Sequence, residues 1–218
     1  MAHLIIAIDG PAAAGKGTLA RRVADHLSLP YLDTGLLYRA TGRLVLDRGE
    51  NPADPAAAET AARSLKPSDL GRTDLRGPEA DAAAAAVASV PGVRAALLSF
   101  QREFGKARGA VLDGRDIGTV VFPEADLKLY VTASPEARAQ RRWLELRARG
   151  APADLAEVEH EIRRRDQQDA ARTIAPLRPA DDAVIIDTTD LDRDAAFAAV
   201  LEVLRQRLAL QFQTRSTN

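Results

Sequence analysis

The sequence predicts an α/β fold around a five-stranded parallel sheet, and three observations predict it. Short apolar runs recur at residues 4–9, 29–33, 110–113, 127–132 and 183–187, ending in Asp9, Asp33, Asp113, Thr132 and Asp187. Stretches with helical spacing or helix caps separate them. A glycine-rich turn opens directly after the first run, at Gly10. Strands this apolar, each followed by a helix, are buried on both faces as in parallel sheets. Ligands of such folds gather at the carboxyl ends of the strands, so the acidic residues there converge in space although scattered in sequence.

The helices follow in order. One is expected over 16–27, and helical spacing resumes over 36–46. From 48 to 78 the chain is polar and interrupted by Pro52, Pro55, Pro67, Gly71, Gly77 and Pro78, which predicts a surface excursion with a short helix over 56–65. Alanine-rich 79–89 reads as helix, and Pro91-Gly92 starts another that runs to about Phe104. Ser134-Pro135-Glu136 is a helix start, a hydroxyl cap followed by proline where its missing N–H is no loss, with the helix ending at Gly150. Asp154 with Glu157 gives a capping-box-like start to a helix reaching about Thr173, before Pro176 and Pro179. A last helix is expected over 192–210 and a frayed tail over 214–218.

The glycine turn carries the strongest chemical signal. Gly10, Pro11, Ala12, Ala13, Ala14, Gly15, Lys16, Gly17 and Thr18 lie between a strand and a helix. Glycines let backbone N–H groups converge on an anion, the helix N-terminus adds partial positive charge, and the lysine reaches the outer phosphates. The alternative is a glycine-rich βα turn that binds nothing. One position departs from the usual motif: Gly17 follows the lysine where Ser or Thr is usual, and Thr18 comes one later.

Three further groups suit phosphoryl transfer, which needs negative charge neutralised and two substrates aligned. Arginine fits because its planar fork grips phosphate and keeps its charge. In the first group Thr34 and Gly35 start a helix after Asp33, with Arg39 about one turn in; the bland reading is a cap with a solvated arginine. In the second, Asp113, Gly114, Arg115 and Asp116 leave a strand end, where a carboxylate beside a phosphate loop is suited to hold Mg²⁺, often through water; the alternative is a surface turn with a local ion pair. In the third, Arg165, Asp169 and Arg172 at i, i+4 and i+7 are expected on one helical face, either spanning a nucleotide or forming an exposed ladder worth a few tenths of a kcal/mol per pair. Arg138, Arg141, Arg142, Arg147 and Arg149 crowd the preceding helix, and Gly150-Ala151-Pro152 separates the two like a hinge. His3, His26 and His160 lack partners at metal spacing, and Trp143 and Phe104 read as packing residues.

Composition excludes several classes. At 218 residues and 46% hydrophobic content the chain can build a real core. A net charge of −1 and 4% aromatics argue against an arginine-based RNA-binding module or an anionic membrane surface. Cysteine is absent, which removes disulfides and thiolate metal sites. No apolar run approaches the ~20 residues of a membrane span, and the first strand begins too early for a signal peptide, so a cytoplasmic protein without membrane or nucleic-acid partners is expected. A guanine-reading N-K-x-D motif is missing, which argues against a GTPase switch.

The GKGT form of the loop is typical of nucleoside monophosphate kinases. Taken with Leu32-Asp33-Thr34-Gly35, Tyr38-Arg39, the stretch from Asp113 through Arg115, Asp116, Ile117, Gly118 and Thr119 to Pro123, and Arg165-Asp166, Asp169, Arg172 and Ala175-Pro176-Leu177, the chain resembles the bacterial cytidylate kinases over nearly its whole length. The resemblance implies a three-layer P-loop NTPase core (1–35, 107–137 and 174–218), an NMP-binding domain (36–106) and an arginine-rich lid (138–173). It implies transfer of the γ-phosphoryl of ATP to CMP or dCMP with Mg²⁺, by a monomer. The nearest rival is a P-loop kinase for UMP, AMP or a hydroxyl acceptor. By position, Thr34, Arg39, Arg94, Arg115, Asp116, Arg165, Asp169 and Arg172 match acceptor-site residues: Arg94 and Asp116 for the base, Asp169 and Arg165 for the ribose side, Arg39 and Arg115 for the phosphate. Lys16, Arg39, Arg115 and Arg165 would carry catalysis, with Asp33 or Asp113 near the metal through water. Two features depart from the family. Residues 64–74 are too short for its usual strand-bearing insert, and a serine that helps contact cytosine falls at Ala85.

Overall fold

The computed structural model describes residues 4–215, with side chains described through Arg207; His3 and the end of the expected tail lie outside the described residues. The chain forms two compact units, Met1–Tyr31 with Arg108–Asn218, and Leu32–Ala107.

The first unit is organised by a sheet. Strands β1 (Ile5–Asp9), β2 (Tyr31–Asp33), β3 (Ala110–Gly114), β4 (Leu127–Thr132) and β5 (Val184–Asp187) lie in the order β2-β3-β1-β4-β5. The pairings β1 with β3, β1 with β4 and β4 with β5 are all parallel. Ile6, Ile8, Val111, Leu129 and Val131 are buried from the strands, and Leu19 and Val23 of α1 (Lys16–Leu27) and Val200 and Leu204 of α8 (Arg193–Arg215) complete the core. Because β1 has later strands on both sides, its carboxyl end is where the winding direction reverses, the position at which open α/β sheets bind ligands. Register sharpens this. Asp9 stands beside Gly114 on one side and Tyr130 on the other, so the glycine turn and the turn after β3 leave the sheet at one level.

Two helices of this unit follow their caps. In α6 (Pro135–Ala148) the Ser134 hydroxyl accepts from the Ala137 N–H at 3.2 Å, and in α7 (Leu155–Ala170) Asp154 accepts from the Glu157 N–H at 3.0 Å. The end of α7 corrects the expectation of a helix to Thr173: it stops at Ala170, closed by the Ala171 N–H on the Gln167 carbonyl.

The second unit is helical. It contains α2 (Thr34–Asp47), α3 (Pro55–Ser64), α4 (Pro78–Ala88) and α5 (Pro91–Arg108), whose last residue belongs to the first unit. Asp33 and Asp54 cap α2 and α3 by accepting from the Leu36 and Ala57 N–H groups. Small residues set the packing. A Cβ on Gly42 would stand 2.8 Å from the Ala83 Cβ, so α2 and α4 touch backbone to backbone. The short insert folds as a 3₁₀ turn over Pro67–Gly71.

Candidate active site

The phosphate loop is shaped by two close constraints. Gly10 has φ 145°, and a Cβ there would fall 1.9 Å from the Val131 carbonyl oxygen, so only glycine fits. Ala13 adopts φ 60° and Gly15 φ 88°, which turns the loop tightly into α1. The loop is then braced from behind. Thr188 Oγ1 lies 3.2 Å from the Ala14 carbonyl and 3.0 Å from that of Thr132. Arg138 is 3% exposed; it donates to the Ala12 carbonyl at 3.3 Å, to the Ala133 carbonyl at 2.9 Å, and to both oxygens of Asp166 at 3.0 and 2.6 Å. Arg141 donates to Thr188. Two of the arginines that crowd this helix therefore brace the loop, Arg138 directly and Arg141 through Thr188. Arg142 and Arg149 pair with Glu145, and Arg147 lies over the Trp143 ring.

Lys16 is buried, and its Nζ donates to the Pro11 carbonyl at 2.6 Å. Burial, aided by the Arg115 and Arg165 guanidinium groups, pulls its ammonium down to about 7, against the opposing pull of Asp113 and Asp9.

The turn after β3 lies beside it. Asp113 accepts from the Tyr31 hydroxyl at 3.2 Å, and its other oxygen would be 3.4 Å from a Cβ on Gly17. Side-chain space at Gly17, where the usual motif has Ser or Thr, is thus bordered by this carboxylate. Arg115 donates from Nε to Asp169 at 2.9 Å, and Arg172 reaches the other Asp169 oxygen at 2.5 Å. Burial pushes the Asp169 carboxyl up, but Arg115, Arg172 and Arg165 outweigh it and the net shift is down. The expected three-residue helical face needs correction here: Arg172 lies beyond the end of α7 and meets Asp169 from the following turn. Asp116, also buried, begins a π turn over Ile117–Val121.

In the helical unit Thr34 is buried at the start of α2, and Arg39 pairs with Asp33 at 2.9 Å. A side chain on Gly35 would meet both partners at 3.0 Å, so glycine leaves room for the pair. The Arg39 Nε is a buried donor with no hydrogen-bond partner among the described residues, an arrangement that costs about 1–3 kcal/mol unless a ligand accepts from it. Arg94 lies over the Tyr38 ring at 5.6 Å. The structure thus gathers Lys16, Asp113, Arg115, Asp116, Arg165, Asp169 and Arg172 in the sheet unit, while Thr34, Arg39 and Arg94 belong to the helical one.

A family model described as cytidylate kinase matches residues 6–206. The chain belongs to the cytidylate kinase family. A cytidylate kinase of Granulibacter bethesdensis is 60% identical over 205 residues, covering 94% of this chain and 98% of that one. A cytidylate kinase of Acidiphilium cryptum is also 60% identical, over 206 residues and 94% and 97% of the two chains. The fold is shared with a solved, uncharacterized protein of Eubacterium ventriosum at TM-score 0.53 and 12% identity, across 93% of this chain and 98% of that chain. Sequence reasoning places Asp9 and the turn after Asp187 at the carboxyl edge of the sheet without giving either a role, and it misses the inward turn of Arg138. Among the described residues no single helix is long and apolar enough to cross a membrane.

Proposed function

We propose that the chain transfers the γ-phosphoryl group of ATP to CMP or dCMP, giving ADP and CDP or dCDP. The observation that carries this reading is the buried Lys16 at the start of α1, on the glycine turn that leaves the carboxyl end of β1, in a chain matched over residues 6–206 by the cytidylate kinase family model. A buried cation with Arg115 and Arg165 near it favours a polyphosphate. Lys16 and the amides of residues 10–18 hold the β- and γ-phosphates. Arg39, Arg115 and Arg165 spread the charge of the transferred group. An anionic oxygen of the monophosphate attacks the γ-phosphorus, the bond to the β–γ bridging oxygen breaks, and ADP leaves. No general base is required, because the nucleophile is already deprotonated. Thr34, Arg94, Asp116, Asp169 and Arg172 bind the acceptor, with Arg94 and Asp116 reading the base and Asp169 and Arg165 on the ribose side.

Residues 36–106 serve as the monophosphate-binding part and 138–173 as a lid that excludes water, which prevents hydrolysis of ATP. Magnesium supplies charge neutralisation of the phosphates when bound. Among the described residues no group of three or more His, Cys, Asp or Glu is placed to hold a metal, so most of its ligands come from phosphate and water. Asp113 fits beside it, with one oxygen held by Tyr31 and the other beside Gly17. Both oxygens of Asp33 already accept, from Leu36 and Arg39. With alanine at position 85, one neutral hydrogen bond to cytosine is lost, about 0.5–1.5 kcal/mol, which weakens discrimination against UMP without erasing it.

The test is a coupled ADP-release assay with CMP, dCMP, UMP, AMP and shikimate, repeated for Asp116→Ala. CMP-dependent turnover that loses selectivity in the variant, with ATP affinity kept, is the expected result. Absence of CMP-dependent turnover overturns the reading, and equal loss for every acceptor makes Asp116 structural.

A further inference from the structure

Asp9 is the last residue of β1 and is followed at once by the phosphate loop. Its side chain does not face that loop's amides. Instead Oδ1 accepts from the Ile117 N–H at 2.8 Å and Oδ2 from the Gly118 N–H at 2.7 Å, across more than a hundred residues of sequence. Those are the first two amides of the π turn that begins at Asp116. The turn closes by wide hydrogen bonds, Val121 N–H to the Asp116 carbonyl at 3.2 Å and Phe122 N–H to that of Ile117 at 2.7 Å. The opening amides of any helical turn lack partners within it, and a carboxylate is the strongest acceptor for them.

From this geometry we infer that Asp9 is a positioning residue for acceptor recognition: it fixes the π turn, and thereby sets where Arg115 and Asp116 stand relative to the phosphate loop. The inference rests on the proposed role of Arg115 and Asp116 in binding the acceptor. Register supports it, since Asp9 is the strand neighbour of Gly114, the residue before Arg115. The space around the bond supports it too. A Cβ on Gly118 would lie 3.4 Å from Asp9 Oδ2, an ordinary contact, and 3.1 Å from the Lys128 side chain, so the turn packs closely around the bond.

Burial pushes the Asp9 carboxyl up to about 6; the Gly118 and Ile117 amides and Lys16 pull it down, and Asp116 adds to the rise. Tyr130 of β4 also faces this charge, and Lys128 is turned to Asp182. With the folded value raised above 3.8, the stability contribution is fully present below about pH 4 and lost as pH rises through 6. At neutral pH the ionised group therefore weakens the fold while holding the turn.

Asp9→Asn separates the roles. Its amide keeps one acceptor and turns the other position into a donor, so one turn amide loses its partner. We expect CMP dissociation constants, measured by calorimetry without turnover, to rise about 5–20-fold. ATP affinity should stay within about twofold, and the melting temperature at pH 7.5 should not fall by more than about 2 °C, because removal of the buried charge offsets the amide left without its acceptor. Gly118→Ala should show the same acceptor-selective loss in milder form, and decides the matter if Asp9→Asn does not fold. Equal loss for both nucleotides, a large drop in melting temperature, or unchanged CMP binding overturns the inference. If the wild-type chain binds ATP and no CMP, the acceptor assignment has failed instead. Amide exchange then decides separately: Asp9→Asn must speed exchange at Ile117 and Gly118 while leaving α1 unchanged, and equal rates sink the positioning role.

Discussion

The sheet unit and the helical unit hold their charged groups by opposite means. In the sheet unit the core is Ile, Leu and Val, and buried polar bonds brace the loops: Asp9 to Ile117 and Gly118, Arg138 to Ala12 and Asp166, Thr188 to Ala14. In the helical unit Ala40, Ala58, Ala61, Ala80, Ala83 and Ala88 share the core with Leu37, Val45, Leu75, Val87 and Val93, and an outer network joins Arg43 and Arg72 to Asp47, Asp74 and Glu79. Alanine buries little apolar area, at roughly 25 cal/mol for each Å², so where alanine lines the contact, as Ala83 does against Gly42, the helices depend on close approach. The difference is one of support: Lys16, Arg115 and Arg165 stand in the braced sheet unit, whereas Arg39 and Arg94 stand on helices of the other unit, where easier local opening is expected.

The largest expected effect tests the first half of that contrast. Lys16→Met should lower turnover by roughly 10²–10³-fold, the size found for removing one transition-state charge stabiliser. It should not lower thermal stability. Lys16 has a folded value near 7 against 10.5 unfolded, so its stability contribution is present above the unfolded value and lost as pH falls through 7. Removing the charge near pH 6.5 should therefore raise the melting temperature. A fall in both activity and melting temperature would mean that the lysine is a structural part of the loop.

Gly42→Ala tests the second half. The new methyl would meet the Ala83 Cβ at 2.8 Å and its backbone carbon at 2.9 Å, and neither is a flexible side-chain end. Overpacking of this kind costs about 1–3 kcal/mol. Hydrogen exchange should quicken over residues 34–88 and hold steady in β1, β3 and β4. Uniform acceleration across both units would show that they open together, and the contrast would be lost.

What was legible in the sequence follows the same division between local and distant causes. All five strands were placed within two residues at either end, because burial on both faces writes itself into each apolar run. Helix starts at Ser134 and Asp154 were legible because a cap acts on amides three residues away. Partner choice was not. Arg138 and Arg141 looked like solvated or lid charges, and their turn inward depends on a carbonyl of the phosphate loop and on the hydroxyl and carbonyl of Thr188 after β5. Arg172 shares helical spacing with Arg165, yet α7 ends earlier and the pairing with Asp169 survives from outside it. The π turn at Ile117–Val121 was invisible for the same reason, since what stabilises it is a carboxylate from β1.

A third, smaller effect follows from the Lys16 equilibrium. Without ATP the ammonium loses its proton near pH 7, and arriving phosphates favour the charged form. ATP binding above pH 7 should therefore take up close to one proton, seen by calorimetry in buffers of different ionisation heat. Affinity should fall by up to about tenfold per pH unit there, and this slope should vanish in Lys16→Met. A wild-type slope that persists in the variant would assign the titration to another group.

The smallest effect lies on the outer face of α7. Arg164 pairs with Glu161 at 2.6 Å, but both side chains are at least half exposed. Water and salt screen such a pair, so Arg164→Ala should change stability by about 0.5 kcal/mol or less and leave turnover and both nucleotide affinities unmoved. Two residues further along α7, Asp166 accepts from the buried Arg138 of α6, and Arg138→Ala leaves that carboxylate and the Ala12 and Ala133 carbonyls without their donor. Arg138→Ala should therefore cost more than Arg164→Ala, through burial and through the backbone carbonyls that Arg138 also serves. If Arg164→Ala weakens ATP binding as much as Arg138→Ala does, the outer arginines of 138–173 act on phosphate as well, and bracing of the loop from behind is not what distinguishes them.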